Sequence, residues 1–160
     1  MMSAVSRLPR FWRRRGVSAG KIESLRRSPV FADLRSRQLG GLATYLDQVQ
    51  VPAGTVLVRE GHRNPAFWLV LEGEAAVSVR GRQRRTIGPS GFFGAISMLD
   101  GREASATVVA SSPLRALVAS AAQFRGLEAN DLVTLRLRAE SERRLREDQL
   151  ALVRELARPA

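Results

Sequence analysis

Residues 47–81, DQVQVPAGTVLVREGHRNPAFWLVLEGEAAVSVRG, decide the fold. Four short runs, Val49–Val51, Thr55–Val58, Phe67–Leu71 and Ala75–Val79, are separated by Pro52-Ala53-Gly54, by Gly61 through Pro65 and by Gly73. Runs this short, rich in β-branched and aromatic residues and ended by turn chemistry, read as strands. The same texture continues through Arg85–Ile87, Thr107–Ala110 and Leu114–Val118, with turns at Gly81, at Gly88-Pro89-Ser90-Gly91 and at Ser111-Ser112-Pro113. Many strands at spacings of about ten residues predict a sandwich or roll. The run at 67–71 is apolar throughout and that at 107–110 apolar after Thr107, which predicts strands covered on both faces.

Helices flank this region. Residues 20–28 read as a short helix ended by Pro29, because the residue before a proline is pushed out of the α region. Ser36 is the expected N-cap of a second helix whose Leu39, Leu42 and Leu46 share a face. Ser120 and Gln123 fit a capping box, with Gly126 as the expected stop. Residues 128–157 contain no Gly or Pro and read as one long helix, supported by Glu140–Arg144 and Glu142–Arg146 at i,i+4. Its stripe of Leu132, Leu135, Ala139, Leu145, Leu152 and Leu156 is interrupted by Glu142, Arg146 and Gln149. One face is expected on the β region, leaving a partial seam for a homodimer through residues 128–157. The fold class is α+β, mainly β. A basic flexible arm is expected at 1–19, the β region with its short helices at 20–126, and a lid or dimer helix at 127–160.

At 160 residues, the chain suits a single core. It has no cysteine, which excludes disulfides, thiol nucleophiles and zinc–thiolate or iron–sulfur sites. With no long apolar run and no apolar signal core, the expected compartment is the cytoplasm. The net charge of +11 is unevenly spread. Residues 1–27 carry eight Lys/Arg against one acid, whereas 127–160 carry seven of each. The basicity is therefore chiefly an N-terminal arm, in which Arg10, Phe11, Trp12, Arg13, Arg14 and Arg15 interleave cations with aromatics.

Catalysis is not expected. The one histidine, His62, falls in a turn-rich stretch, and a serine nucleophile would normally need it as base. No Walker A sequence, H-E-x-x-H or calcium loop is present, and Asp100 with Glu103 makes too small a set for a metal. No cofactor and no metal site is expected.

Residues 88–110, GPSGFFGAISMLDGREASATVVA, hold the candidate site. They read as a glycine-bearing turn, a short apolar helix-like piece, a tight Asp100-Gly101 turn and small residues entering a strand. Gly94 and Ala104-Ser105-Ala106 would let backbone approach a ligand, and exposed N–H groups there could hold an anion. On spacing alone a packed corner of a roll explains the stretch better.

Together with Pro29-Val30-Phe31-Ala32-Asp33-Leu34, with Val51–Gly61 and with Phe67–Gly73, this stretch resembles the cyclic nucleotide-binding domain family over residues 24–150. That family includes the catabolite activator protein, protein kinase A regulatory subunits and cyclic-nucleotide-gated channels. The resemblance implies an eight-stranded antiparallel β-roll, jelly-roll-like, with short N-terminal helices and a long C-terminal helix. It also implies a pocket built from Gly94, Ala95, Ile96, Ser97, Ala104, Ser105 and Ala106.

Two departures bear on function. The family cassette reads roughly F-G-E-[IL]-A-L-x(n)-R-[ST]-A-T; its glutamate takes the ribose 2′-hydroxyl and its arginine the cyclic phosphate. Here Ala95 stands at the glutamate position and Ala104 at the arginine position. Each charged hydrogen bond is worth about 1.5–3 kcal/mol. Losing both implies a fall of about two to four orders of magnitude in affinity. Arg102 and Glu103 are the candidates to compensate after a shift of the loop, but an arginine two residues away in so tight a turn is expected to point elsewhere.

The resemblance therefore predicts a regulatory or docking module whose partner is another protein or a larger complex, with cyclic nucleotide binding weak or absent. No helix-turn-helix is expected after the last helix, since only Arg158-Pro159-Ala160 follow it. The alternatives are a cyclic AMP or other small-ligand sensor with altered contacts, and association with an anionic surface, nucleic acid or membrane. The last would use the arm and the Arg80, Arg82, Arg84, Arg85 hairpin.

Overall fold

The computed structural model describes Arg13–Arg14 and residues 19–159. In chain order the elements are β1 (Arg13–Arg14), α1 (Ala19–Arg27), α2 (Ser36–Ala43), β2 (Asp47–Val51), β3 (Val56–Val58), β4 (Ala66–Glu72), β5 (Ala75–Val79), β6 (Arg82–Ile87) and β7 (Phe92–Phe93). There follow α3 (Ala95–Asp100), β8 (Thr107–Ala110), β9 (Leu114–Ser120), α4 (Ala121–Glu128) and α5 (Asp131–Leu156).

Two antiparallel sheets face each other, one in the order β1-β2-β9-β4-β7 and the other β3-β8-β5-β6. Strands β2 to β9 make the eight-stranded roll that the sequence predicts. The two-residue β1, from the stretch expected to be a flexible arm, adds to the edge of β2 with Arg13 opposite Val49 and Arg14 opposite Gln48. The remaining arm residues, Arg10, Phe11, Trp12 and Arg15 among them, lie outside the described residues.

There are two cores, divided by the first sheet. Trp68, Val70, Ala116 and Val118 point between the sheets with Val49, Val77, Phe93 and Val108. Phe67, Leu69, Leu117 and Ala119 point the other way, onto Leu25, Phe31, Leu39, Phe124, Val133 and Leu137 of the helical layer. Alternation at period two therefore persists inside an all-apolar run, and β4 reads as continuous because both its faces are buried. The expectation of two-sided burial fails for β8, where only Val108 and Ala110 are buried, because no helix covers the outer face of the second sheet. Strand β9 is the other doubly covered strand.

Helix boundaries correct two expectations. Ser36 is the first residue of α2, not its cap; Gln38 Oε1 accepts the Arg35 N–H at 3.0 Å, and the Ser36 hydroxyl accepts from Arg26. Gly126 lies inside α4 rather than ending it. Its missing side chain makes room for the Tyr45 ring, which a Cβ would meet at 2.4 Å. The capping box at the start of α4 forms, with Gln123 N–H donating to Ser120 Oγ and Ser120 N–H to Gln123 Oε1. Residues 129–130 separate α4 from α5, so the long helix expected from 128 begins at Asp131; its N-cap is Asn130, whose side chain accepts from Val133 N–H at 3.1 Å. Among the described residues, no helix is long and apolar enough to cross a membrane.

Candidate functional site

The β7–α3 corner needs two special backbone positions. Gly94, between β7 and α3, has φ +89°, and a Cβ there would lie 2.5 Å from Ala66 O and 2.8 Å from Asn64 Nδ2. No other residue fits that conformation and that close approach together. Gly101 ends α3 at φ +65°. Asn64 pins the corner: its Nδ2 donates to Gly94 O and Ser97 Oγ, both at 2.9 Å, and its Oδ1 accepts the Ala66 N–H at 3.2 Å. Sequence reasoning missed Asn64 because it sits among turn residues. Its neighbour Pro65, ahead of an apolar strand, signals only a turn.

The segment after α3 is strapped to the opposite loop. Gly61 N–H donates to Ala104 O and Ala104 N–H to His62 O, each at 2.9 Å, and Arg63 bridges Glu103 through the backbone. These bonds fix Ala104, Ser105 and Ala106 against the 60–63 turn. His62 itself is exposed.

A cavity of about 70 Å³ lies inside this corner, lined by Gly94, Ala95, Ile96, Ser97, Ala104, Ser105 and Ala106, the full set predicted. Ala95 and Ala104 are buried and contribute methyl groups only. The candidate compensating residues, Arg102 and Glu103, are both exposed, and neither lines the cavity. Arg102 is turned by its own N–H bond to Ser97 O, 3.1 Å.

The rest of the wall comes from β6 and α5: Arg85 from the strand, and Ser141, Arg144, Leu145 and Asp148 from the helix. Arg85 pairs with Asp148 through both guanidinium nitrogens and also donates to Arg144 O at 3.4 Å. Arg144 stacks over the Phe92 ring at 4.5 Å, donates to Phe92 O, and reaches Glu140 at 3.3 Å. Burial pushes its guanidinium below the usual arginine value, opposed chiefly by Glu140. About two turns beyond Asp148, Arg84 holds Glu155 in a bidentate pair, 2.6 and 3.0 Å, while Arg82 stands 3.7 Å from the same carboxylate. The hydrogen bond from Arg84 holds the Glu155 carboxyl below the usual range. Three of the four arginines of the hairpin expected to face an anionic surface, Arg82, Arg84 and Arg85, are thus paired with acids of α5.

Known ligand pockets run to about 300–1,000 Å³. The cavity here is far smaller because α5 side chains fill the space above the corner. No carboxylate stands at Ala95 and no guanidinium at Ala104, and the charges on the wall face one another. Among the described residues no group of three histidines or acids could hold a metal.

Comparison with known proteins agrees with this architecture. Residues 48–131, just over half of the chain, match the cyclic nucleotide-binding domain family. A cyclic nucleotide-gated potassium channel of Mesorhizobium japonicum is 33% identical over 99 residues, covering 62% of this chain and 27% of that protein. The cAMP-dependent protein kinase regulatory subunit of Yarrowia lipolytica is 33% identical over 93 residues, covering 57% and 25%. The chain thus spans about a quarter of the length of either relative. Among solved structures, the Thermus thermophilus catabolite activator protein superposes with a TM-score of 0.67 at 29% identity, over 78% of this chain and 62% of that one.

Proposed function

Since the chain belongs to the cyclic nucleotide-binding domain family, a family of regulatory domains, we propose that it is a non-catalytic regulatory or docking module that binds cyclic nucleotide weakly or not at all. It works in the cytoplasm through contacts with another protein or a larger complex. The observation that carries this reading is the pairing of Ala95 with Ala104 on the wall of a cavity whose own charged groups are already matched. Two small apolar residues leave no buried charge without a partner, so a roll released from nucleotide binding keeps its stability. The arm, with its interleaved arginines and aromatics, is the segment proposed to dock.

A second reading has one specific observation in its favour. Arg85 and Arg144 both line the cavity, and a shift of α5 that carried Asp148 away would leave the Arg85 guanidinium facing it. A sensor for a small anionic ligand could be built on that cation.

Isothermal titration with cyclic AMP and cyclic GMP to millimolar ligand separates the two. The docking reading expects no micromolar binding by the native chain, and recovery of binding in an A95E/A104R variant. Micromolar native binding that is lost in R85A overturns it in favour of the sensor.

A further inference from the structure

We propose that three loops tied together beside the cavity form a rigid surface for a carboxylate-rich segment of a partner protein. The inference rests on the docking reading above and adds a folded contact to the arm. Residues 59–63 lead out of β3, 80–81 join β5 to β6, and 101–105 follow α3. The straps between the 60–63 turn and Ala104 join the first loop to the third, with Arg63 and Glu103 bridged through the backbone. Arg80 N–H donates to Glu60 Oε2 at 2.9 Å, which adds the second loop, and Glu60 N–H donates to Thr107 Oγ1 at 3.0 Å. Each loop brings arginine to this cluster: Arg59 and Arg63, Arg80, and Arg102. All four are exposed, and among the described residues none of their side chains enters an ion pair. The hairpin is thus divided. Arg82, Arg84 and Arg85 turn to the acids of α5, while Arg80 at its tip joins arginines from two other loops.

Arg80 supplies a second, independent observation. It has φ +52° and Gly81 φ +79°. Two left-handed residues in a two-residue hairpin turn favour Asn-Gly or Gly-Gly, and arginine at the first position is strained. Strain of this kind collects at functional positions. The Glu60 carboxylate holds the turn by the Arg80 backbone, which leaves the guanidinium in solvent. Four guanidiniums stand against two carboxylates, Glu60 and Glu103, and their planar forks match carboxylates two-pronged. The composition favours a protein over a nucleic acid or a bilayer. Glu60 and Glu103, set among the arginines, would repel evenly spaced phosphates. The three loops hold no Phe, Tyr or Trp on which bases could stack, and no large apolar side chain to enter a lipid interface.

Fluorescence anisotropy of a labelled oligoglutamate peptide with the whole chain tests the surface. Binding is expected, and weaker at about 200 mM than at about 20 mM salt. R59S/R63S/R80S/R102S should raise the dissociation constant about tenfold or more, and should do so again in a chain already carrying R10S/R13S/R14S/R15S in the arm. R80G separates binding from folding. Glycine relieves the left-handed strain, so the urea midpoint should rise while affinity falls about threefold, and R80K should keep the affinity. No binding by the native chain, a loop variant that binds as tightly as the native one, or an R80G chain with unchanged affinity would each overturn the proposal. So would tighter binding of oligothymidylate or of phosphatidylserine vesicles through the same four arginines. Loss confined to the arm variant sinks this surface and leaves the docking reading standing, whereas micromolar cyclic AMP binding sinks that reading and leaves the anisotropy result untouched.

Discussion

Arg85 on β6 and Asp148 on α5 form an ion pair in the wall of the cavity, joining the roll to the helix that covers it. This pair is one of a series along α5. Arg138 bonds Asp100 at 3.0 Å, Arg144 takes the Phe92 carbonyl, and Arg84 holds Glu155 further along. Nearer its start, Arg136 donates to the carbonyls of Val30 and Ala32. Apolar burial on the inner face stops at Leu137; beyond it Ser141, Arg144, Asp148 and Glu155 face inward. Fully buried apolar side chains, Val133 and Leu137, thus anchor only the first half of the helix, beside Arg136 and Arg138, and the second half relies chiefly on charge.

That division predicts a salt response confined to one half of α5. Raising ionic strength to about 1 M shortens the Debye length to about 3 Å, weakening the partly exposed pairs Arg85–Asp148 and Arg84–Glu155. Hydrogen exchange at residues 148–156 should quicken several-fold, while 133–141, over buried Val133 and Leu137, stays protected. Uniform quickening along the helix would contradict the division.

Acid should act on the same half. The Glu155 carboxyl is held below its ordinary value of 4.5 by the hydrogen bond from Arg84. A depressed carboxyl adds stability above the unfolded value, and loses it as pH falls through the folded value. Native chain should therefore exceed E155Q in stability above pH 4.5, with the gap closing below it. Denaturant unfolding of both proteins across that range measures the gap; a constant difference would argue against the pair.

Gly94 and Gly101 provide a matched comparison. Both have positive φ, but a Cβ at Gly94 meets Ala66 O at 2.5 Å, whereas one at Gly101 has open space around it. The left-handed conformation alone costs a non-glycine residue about 1–2 kcal/mol. Gly101→Ala should lose about that much, and Gly94→Ala about 2–4 kcal/mol once the collision is added. Urea unfolding gives both values, and equal losses would remove the case for close approach.

The roll was legible because its turns are written in Gly and Pro and its strands are short. The two-residue β7 was not: Phe92 and Phe93 read as part of a glycine turn, and only pairing with Trp68 and Leu69 makes them a strand. The seven pocket residues were legible from the family cassette. The other wall, Arg85, Arg144 and Asp148, was not, because those residues lie 59 and 63 positions apart in the pairs they form. Within α5 the sequence mixes its two faces. Leu145, counted in one stripe with Leu132 and Leu135, lines the cavity, whereas those two are exposed.

Asn64 carries the last prediction. Its amide satisfies three groups at once: Gly94 O and Ser97 Oγ accept from its nitrogen, and its oxygen takes the Ala66 N–H. It is 7% exposed, so water cannot readily replace it. Removing a buried partner leaves the remaining groups desolvated at about 1–3 kcal/mol, and Asn64→Ala should destabilise the chain by about that amount. Asn64→Asp is the more telling variant. It keeps the size and the bond from Ala66, but sets a carboxylate oxygen against the Gly94 carbonyl, two acceptors with no proton between them. Asn64→Asp should therefore be at least as destabilising as Asn64→Ala at neutral pH and recover as pH falls and the carboxyl takes up a proton. Thermal unfolding of the three proteins at pH 7 and pH 5 decides it, and an Asn64→Asp chain as stable as the native one at pH 7 would remove Asn64 from the corner.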